Sequence, residues 1–336
     1  MGRSVERVFG KQVETRYSAS LLHTMLVSVI IPNWNGAHFL PACLNSLRQQ
    51  THRQHEVIVA DNASSDNSRE LLARDYPEVK VVILDHNTGF TGACNAGLIA
   101  AQGEIKILLN NDTEVEPNWI EEVVAAFDRH PQAGIVASRM LLFDKREIFH
   151  TAGDLYRVDG IPANRGVWQR DENQFQEGRV FSACGGAAAY RATMLNQIGL
   201  LDHDFFFSCE DMDLAWRAQL TGWQAVYTPK AVVYHKLSPI GGGKTASFHD
   251  GRNFIYILIK DVPLSVWRRH WKKMLRAQVG ITVEAVRAWR GEAARARLRG
   301  QLAGIIAIPT LLGKRKKIQA SRIVSDEYLF SILSEA

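Results

Sequence analysis

The chain is poor in cysteine, has no long apolar run and carries no complete nucleotide-binding signature. Its four cysteines, Cys43, Cys94, Cys184 and Cys209, are scattered without any CxxC spacing, which excludes a disulfide framework and a zinc site and fits a reducing cytosol. No stretch reaches the roughly eighteen apolar residues that a bilayer span needs, and the amino terminus lacks the apolar core of a signal peptide. The protein is therefore expected to stay cytoplasmic, on the side where it is made. No GxGxxG follows the first strand signal, so the pyrophosphate cradle of a nicotinamide or flavin enzyme is missing.

What is present is ordinary globular chemistry with an uneven charge. Of 336 residues, 46% are hydrophobic and 22% charged, enough chain for one large domain and an appendage. Residues 261–336 hold 15 Lys and Arg against 6 Asp and Glu, so the net charge of +5 resides in the carboxyl-terminal part. That asymmetry argues against nucleic acid and for a local contact with anionic lipid or another acidic surface. Residues 1–24 are polar and aperiodic, and Met25 directly precedes the first strand, so this segment is an extension or lies upstream of the true start.

The organising stretch is Ile105 to Glu116. A β-branched run, Ile105 to Leu109, predicts a buried strand and stops abruptly at Asn110-Asn111-Asp112-Thr113. A carboxylate flanked by amides at the carboxyl end of a parallel strand is placed to hold a hard cation against a phosphate-bearing ligand. The same residues also suit a turn and cap before the helix that Pro117 starts. Earlier strands are predicted at Val27 to Ile31, Val57 to Ala60 and Val79 to Leu84, each followed by helical periodicity. Their loops carry Pro32-Asn33-Trp34-Asn35-Gly36, Asp61-Asn62-Ala63-Ser64-Ser65-Asp66 and Asn87-Thr88-Gly89-Phe90. Four strand and helix alternations predict a doubly wound, mainly parallel α/β sheet. Asp61 can accept from a base or ribose, or its loop forms an Asx-turn and cap.

From Ser138 to Arg179 the sequence is irregular, with short strand candidates at Asp154 to Val158 and Gly166 to Gln169. Phe181 to Ala187 reads as a strand running into small residues, where Gly185 and Gly186 permit close approach of a ligand or tight packing of sheet on helix. A helix is predicted from Cys209 to about Leu220. In it Asp213 and Arg217 form a surface pair, and Asp211 shares a face with Leu214, Ala215 and Ala218, where an unpaired carboxylate needs a purpose. Glu210 points elsewhere and can organise the loop. His235 ends a strand, Ala231 to Tyr234. Gly241-Gly242-Gly243-Lys244-Thr245 is an incomplete P-loop, read as a glycine-rich lid with Lys244 near a diphosphate. Arg252 either reaches a phosphate or pairs with an acid. A boundary near Lys260 is expected to leave a soluble donor-binding domain, residues 25–260. Beyond it Trp267, Arg268, Arg269, Trp271, Lys272 and Lys273, and later Leu302 to Leu312 before Gly313-Lys314-Arg315-Lys316-Lys317, fit a membrane interface or helices docked on the domain.

Together the runs Val29 to Asn35, Val59 to Asp66, Asn87 to Phe90, Asn95-Ala96-Gly97 and Leu109 to Thr113 resemble glycosyltransferase family 2, especially its bacterial rhamnosyltransferase-like members. The resemblance spans about residues 27 to 260. It implies a GT-A fold, a nucleotide-diphosphate sugar donor, a divalent metal (Mn²⁺ or Mg²⁺) and inversion at the anomeric carbon. It places Asp61 at the nucleotide base and Asp112 on the metal, with His235 and Asn110 beside it, and makes Asp211 the general base. The family motif has an acid where this chain has Asn110, which removes one charge. Pro32, Asn33, Trp34, Asn35, Asn62, Asn87, Gly89, Phe90, Asn95, Asn111, Gly185, Gly186, Glu210, Lys244 and Arg252 are the further candidate substrate contacts. The expected acceptor is a hydroxyl of a glycan or a lipid-linked glycan, with the enzyme peripheral on the inner face of the cell membrane. Two other classes are a P-loop-like nucleotide hydrolase built on Lys244 and a non-catalytic nucleotide-sugar-binding protein, which would lack the Asp211 motif.

Overall fold

The computed structural model describes residues 25–237 and 243–335. The extension 1–24 and residues 238–242, with the first two glycines of the glycine-rich run, lie outside the described residues. The first half alternates as its periodicity requires: β1 (Val27–Asn33), α1 (Leu40–Arg48), β2 (His55–Asp61), α2 (Ser68–Asp75), β3 (Lys80–Ile83), α3 (Gly89–Ala100), β4 (Ile105–Leu109), β5 (Thr113–Val115) and α4 (Trp119–Arg129). Strands β3, β2, β1 and β4 lie side by side in that order, all parallel. The chain builds outward from β1 to β3, then crosses to the other side of β1 for β4. The crevice at the carboxyl ends of β1 and β4 is thus the switch point where open α/β sheets bind ligands.

Burial follows the two-residue period of a strand. Val27, Val29 and Ile31 of β1 and Ile105, Ile107 and Leu109 of β4 join one apolar cluster with Leu44 and Val123. Ile30 and Leu108 join the other, with Cys94 and Leu98 of α3. Strands covered on both faces need continuous apolar runs, and these segments supply them.

The second half comprises β6 (Ala133–Leu142), β7 (Lys145–Thr151), β8 (Asp154–Tyr156), β9 (Pro162–Asn164), β10 (Gly178–Val180), β11 (Ala187–Arg191), α5 (Ala192–Ile198), α6 (Glu210–Leu220) and β12 (Gln224–His235). Here the sheet departs from the mainly parallel expectation. Strand β11 enters antiparallel between β4 and β6, β12 runs parallel to β6, and β5 and β10 pair antiparallel with β12, so the central sheet is mixed. Phe181 to Gly186 is not a strand: its backbone turns, Ala187 N donating to Cys184 O at 3.0 Å, and pairing begins at Ala187. Of the two strand candidates in the middle region, Asp154 to Val158 contains β8, whereas Gly166 to Gln169 is a turn with Trp168 at φ 64°. The partner of β8 is β9.

Five helices close the chain: α7 (Gly243–Lys260), α8 (Leu264–Arg287), α9 (Glu292–Ile306), α10 (Ile308–Ala320) and α11 (Asp326–Ile332). They are built onto the sheet domain. Val266, Met274, Leu311 and Leu329 sit in the same apolar cluster as Ile30 and Trp216, and Ser334 N donates to Tyr156 O at 3.0 Å. Lys314 binds Asp202 and Asp204 at 2.7 Å, and Arg315 donates to the carbonyls of Ile259 and Val262. Trp267, expected at lipid headgroups, donates its indole N–H to Leu258 O at 2.8 Å and packs on the core. Among the described residues no helix is long and apolar enough to cross a membrane.

Candidate active site

The switch point gathers the polar loops that the sequence singles out. Asn111 Nδ2 donates to Asn33 Oδ1 at 2.7 Å, joining the ends of β1 and β4. Asn33 also reaches Asp61 and Ser64, both at 3.3 Å. Gly36 fits beneath this bridge because any Cβ there would collide with Asn111 and Asn33. Asp61 is fully enclosed, with Arg69 Nε donating to it at 2.6 Å. Asn62 ties the ends of β2 and β3 together, donating to Asn87 Oδ1 and Gly89 O and accepting from Thr88 N. Asn35 accepts from Ser65 N, while Trp34 is exposed at the rim. Pro32 closes β1 beside Asn33.

A second group forms because the register of β5 on β12 sets His235 opposite Thr113, next to Asp112. His235 Nε2 lies 3.1 Å from Asp112 Oδ1 and 3.2 Å from Asn110 Nδ2. Two cis ligands of a cation with bonds of about 2.1 Å stand roughly 3 Å apart, so the carboxylate–imidazole spacing fits a divalent metal. Turning the Asn110 amide, whose orientation is set only by its hydrogen-bond partner, would add an oxygen. On the far side of the ring, His235 Nδ1 is 3.1 Å from His150 Nδ1. Burial and the neighbouring imidazole lower the His150 pKa to about 3, so it is neutral and orients His235. Nothing in the local sequence flags His150; strand β7 brings it from 85 residues away.

The third group surrounds the Gly185–Gly186 turn. Gly186 lies against Asn110 and His235, a Cβ there lying 3.2 Å from Asn110 and 3.4 Å from His235. Gly185 N donates to Asp211 Oδ2 at 2.8 Å, and Met212 N donates to Asp211 Oδ1 at 2.7 Å. The two glycines therefore separate Asp211 from Asn110 and His235 by one backbone turn. Phe90 lines the same turn, 3.6 Å from the Gly185 Cβ position. Asp211 is half-buried, and burial raises its pKa against those two N–H donors. Glu210, expected to point away, is buried beside Gly185, and burial with the adjacent Asp211 pushes it well up. Asp154 and Cys184 join Asp211, with one ligand atom from each of these three residues within 4.8 Å of the others. Burial, then the Asp211 charge, raises Asp154 to about 8. Burial opposes ionisation of Glu210, Asp154 and Asp211 alike, and at Asp211 the Gly185 and Met212 N–H groups work against that shift.

Several expected roles change once side chains are placed. The Asp213–Arg217 pair is not on the surface: Asp213 is fully buried, receives Arg217 at 2.8 Å and also contacts Lys260. Arg252 forms no ion pair with an acid among the described residues; it donates to the carbonyls of Asp204 and Phe205. Asn253, fully buried, donates to the carbonyls of Phe205, Phe207 and Ser208. These contacts hold a segment in which Phe206, Ser208 and Cys209 all have positive φ, directly before Glu210 and Asp211. Asn95 is buried and bonds to Leu201 N and O, which makes it structural. Lys244 opens α7 and lines a cavity with Phe248, His249 and Arg299, apart from the asparagine bridge.

Residues 28–199 match the family described as Glycosyl transferase family 2. The N-acetylglucosaminyl-diphospho-decaprenol L-rhamnosyltransferase of Mycobacterium tuberculosis is 25% identical over 283 residues, 77% of this chain and 92% of that protein. The poly-beta-1,6-N-acetyl-D-glucosamine synthase of Staphylococcus epidermidis is 22% identical, over 65% of this chain and 51% of its own. Among solved structures, GalNAc-T7 with UDP, GalNAc and Mn2+ aligns with a TM-score of 0.58 at 17% identity, covering 70% of this chain and 48% of its own. S. aureus TarS 1-349 in complex with UDP aligns at 0.54 and 18% identity, covering 88% and 91%. The family match spans half of the sequence and the surrounding fold is GT-A, so the chain belongs to glycosyltransferase family 2 and is a glycosyltransferase.

Proposed function

We propose that the protein transfers a sugar, with inversion, from a nucleotide-diphosphate donor to a hydroxyl of a glycan or lipid-linked glycan in cell-surface polysaccharide assembly. The observation that carries this reading is the Gly185–Gly186 turn, with a half-buried Asp211 held by two backbone N–H groups on one side and the Asp112–His235 pair on the other. Rhamnose is the proposed sugar, from the likeness to the M. tuberculosis rhamnosyltransferase.

In this reaction the acceptor O–H gives its proton to Asp211 as its oxygen bonds to the anomeric carbon, and the bond from that carbon to the diphosphate oxygen breaks with its electron pair. Proton removal by a positioned carboxylate is worth roughly a hundred- to ten-thousand-fold. Gly185 N–H and Met212 N–H fix the carboxylate and favour its charged form. Asp112 and His235, with Asn110, are the residues to hold Mn²⁺ or Mg²⁺, which when bound stabilises the leaving diphosphate as a Lewis acid. Asn33, Asn111 and Asp61 shape the nucleoside end of the crevice.

The membrane face is assigned to α8. Trp271, Leu275, Val279 and Val286 are exposed and share one face of that helix, which carries six cations and one carboxylate. An apolar stripe flanked by cations fits an anionic lipid surface better than a second, equally basic copy.

The test is a panel of nucleotide-diphosphate sugars, rhamnose donors included, with a short-chain N-acetylglucosaminyl-diphospho-lipid as acceptor and Mn²⁺ present. Acceptor-dependent release of the nucleoside diphosphate is expected. Nucleotide hydrolysis that needs no sugar acceptor and disappears in Lys244→Ala would instead establish the P-loop-like hydrolase.

A further inference from the structure

A cavity of about 310 Å³ lies between the start of α7 and the middle of α9, lined by Lys244, Thr245, Phe248, His249, Ala296 and Arg299. Its volume is at the lower end of the roughly 300–1,000 Å³ usual for small-molecule sites. No carboxylate lines it. The other cations of α7 and α9 are engaged: Arg297 with Asp250, Lys260 with Asp202 and Asp213, and Arg252 and Arg295 with backbone carbonyls. Lys244 and Arg299, both exposed, have no ion-pair or hydrogen-bond partner among the described residues. Two unmatched cations and the Thr245 hydroxyl around one cavity are the chemistry of a phosphate or diphosphate site.

The cavity is joined to the reaction centre. The His249 ring stacks on Phe206 at 5.3 Å and 13°. Phe206 O in turn accepts from Thr91 N, and Ser208 Oγ donates to Asp250, the neighbour of His249. Phe206 to Cys209 is the segment that delivers Glu210 and Asp211.

Arg299 also begins an apolar track. On α9, positions 299, 302 and 306 fall on one face, and Leu302 and Ile306 are 57% and 70% exposed. A ligand with its anionic head at Arg299 can lay a hydrocarbon chain along Leu302 and Ile306 toward solvent or membrane. Neither a nucleotide nor a free glycan has that amphiphilic shape.

Resting on the transferase reading above, we propose that this cavity seats the diphosphate of a lipid-linked acceptor. Lys244 and Arg299 bind the diphosphate, and Phe248, Leu302 and Ile306 receive the first carbons of the lipid. The acceptor sugar then extends past Phe206 toward Asp211. This moves Lys244 from the donor to the acceptor.

Calorimetric titration of the full chain with farnesyl diphosphate, inorganic pyrophosphate and farnesol tests the assignment. Farnesyl diphosphate is expected to bind more tightly than pyrophosphate, and farnesol not at all. Lys244→Ala and Arg299→Ala should each weaken farnesyl diphosphate about tenfold, as expected for loss of one charge-assisted contact. Arg299→Lys should recover part of the loss. Leu302→Gln with Ile306→Gln should weaken farnesyl diphosphate and leave pyrophosphate unchanged. Unaltered farnesyl diphosphate affinity in the Lys244→Ala, Arg299→Ala double variant overturns the proposal. Displacement of farnesyl diphosphate by nucleoside diphosphate, with loss of binding in Asp112→Ala, also overturns it, because the lipid diphosphate would then occupy the donor crevice. Equal affinities for pyrophosphate and farnesyl diphosphate reject the lipid track. Failure of the transferase reading shows separately, as no nucleotide sugar bound or turned over while farnesyl diphosphate still binds.

Discussion

Replacing Asp154 by Asn should stabilise the protein near neutrality, by an amount that grows with pH. Asp154 is 5% exposed, and its Oδ1 accepts from Thr151 Oγ1 at 2.9 Å and Asn164 Nδ2 at 3.1 Å. Its pKa rises from 3.8 to about 8 in the fold, through burial and then the Asp211 charge. Between those values the folded protein holds a proton that the unfolded chain has released. Folding stability therefore falls as pH rises through this window and levels off above about 8. The slope is about 1.4 kcal/mol per pH unit, hence roughly 2.7 kcal/mol between pH 5 and 7. Asparagine keeps the Oδ1 acceptor and has no proton to lose. The stability of Asp154→Asn relative to wild type should thus climb by about that amount over the same interval. Urea unfolding of both proteins at pH 5, 6 and 7 measures it, and the difference cancels the titrating groups that do not interact with Asp154. A difference that stays constant across the window would mean that Asp154 is ionised in the folded state, and the reasoning from its burial would fail.

Asp211→Asn should lower kcat at least a hundredfold while nucleotide-sugar affinity stays within a fewfold, since shape is kept and proton acceptance lost; wild-type turnover would reject the base assignment. In the wild type, activity should rise with pH through the raised Asp211 pKa, and a profile flat down to pH 4 would contradict it. Asp112→Ala should weaken Mn²⁺ and donor binding together, measured by calorimetry, and unchanged, metal-independent donor affinity would count against it. His150→Phe should weaken Mn²⁺ binding about ten- to a hundredfold in spin-resonance titration, because His235 loses the group that orients it; unaltered binding would make the histidine pair incidental. Truncation after Lys260 should give an aggregating chain, not a soluble donor-binding domain, because it strips Val266, Met274, Leu311 and Leu329 from the core; a cooperative thermal transition in the truncated chain would refute this.

By itself the sequence determined the strands of the parallel half and the loops at their carboxyl ends. Those segments are short, apolar and bounded by Asn, Asp and Gly, so local periodicity suffices to locate them, and Asn33, Asp61 and Asp112 stand where expected. Helical spacing also singled out Asp211 as the inward acid of its helix, but in the fold Glu210 and Asp213 are the buried ones and Asp211 is half-buried. Tertiary structure alone decided which polar groups meet. His235 and Asp112 are neighbours through the β5–β12 register, and His150 joins them across the β6–β7 hairpin. Arg252 and Asn253 were turned to backbone carbonyls by a left-handed segment that no side-chain pattern announces. Likewise, the basic carboxyl-terminal residues read alike in sequence. Packing divided them: Lys314 and Arg315 are engaged by Asp202, Asp204 and backbone carbonyls, while Arg299 is left facing a cavity. Charge is a property of the residue, but whether it is already neutralised depends on long-range contacts that only the folded chain makes.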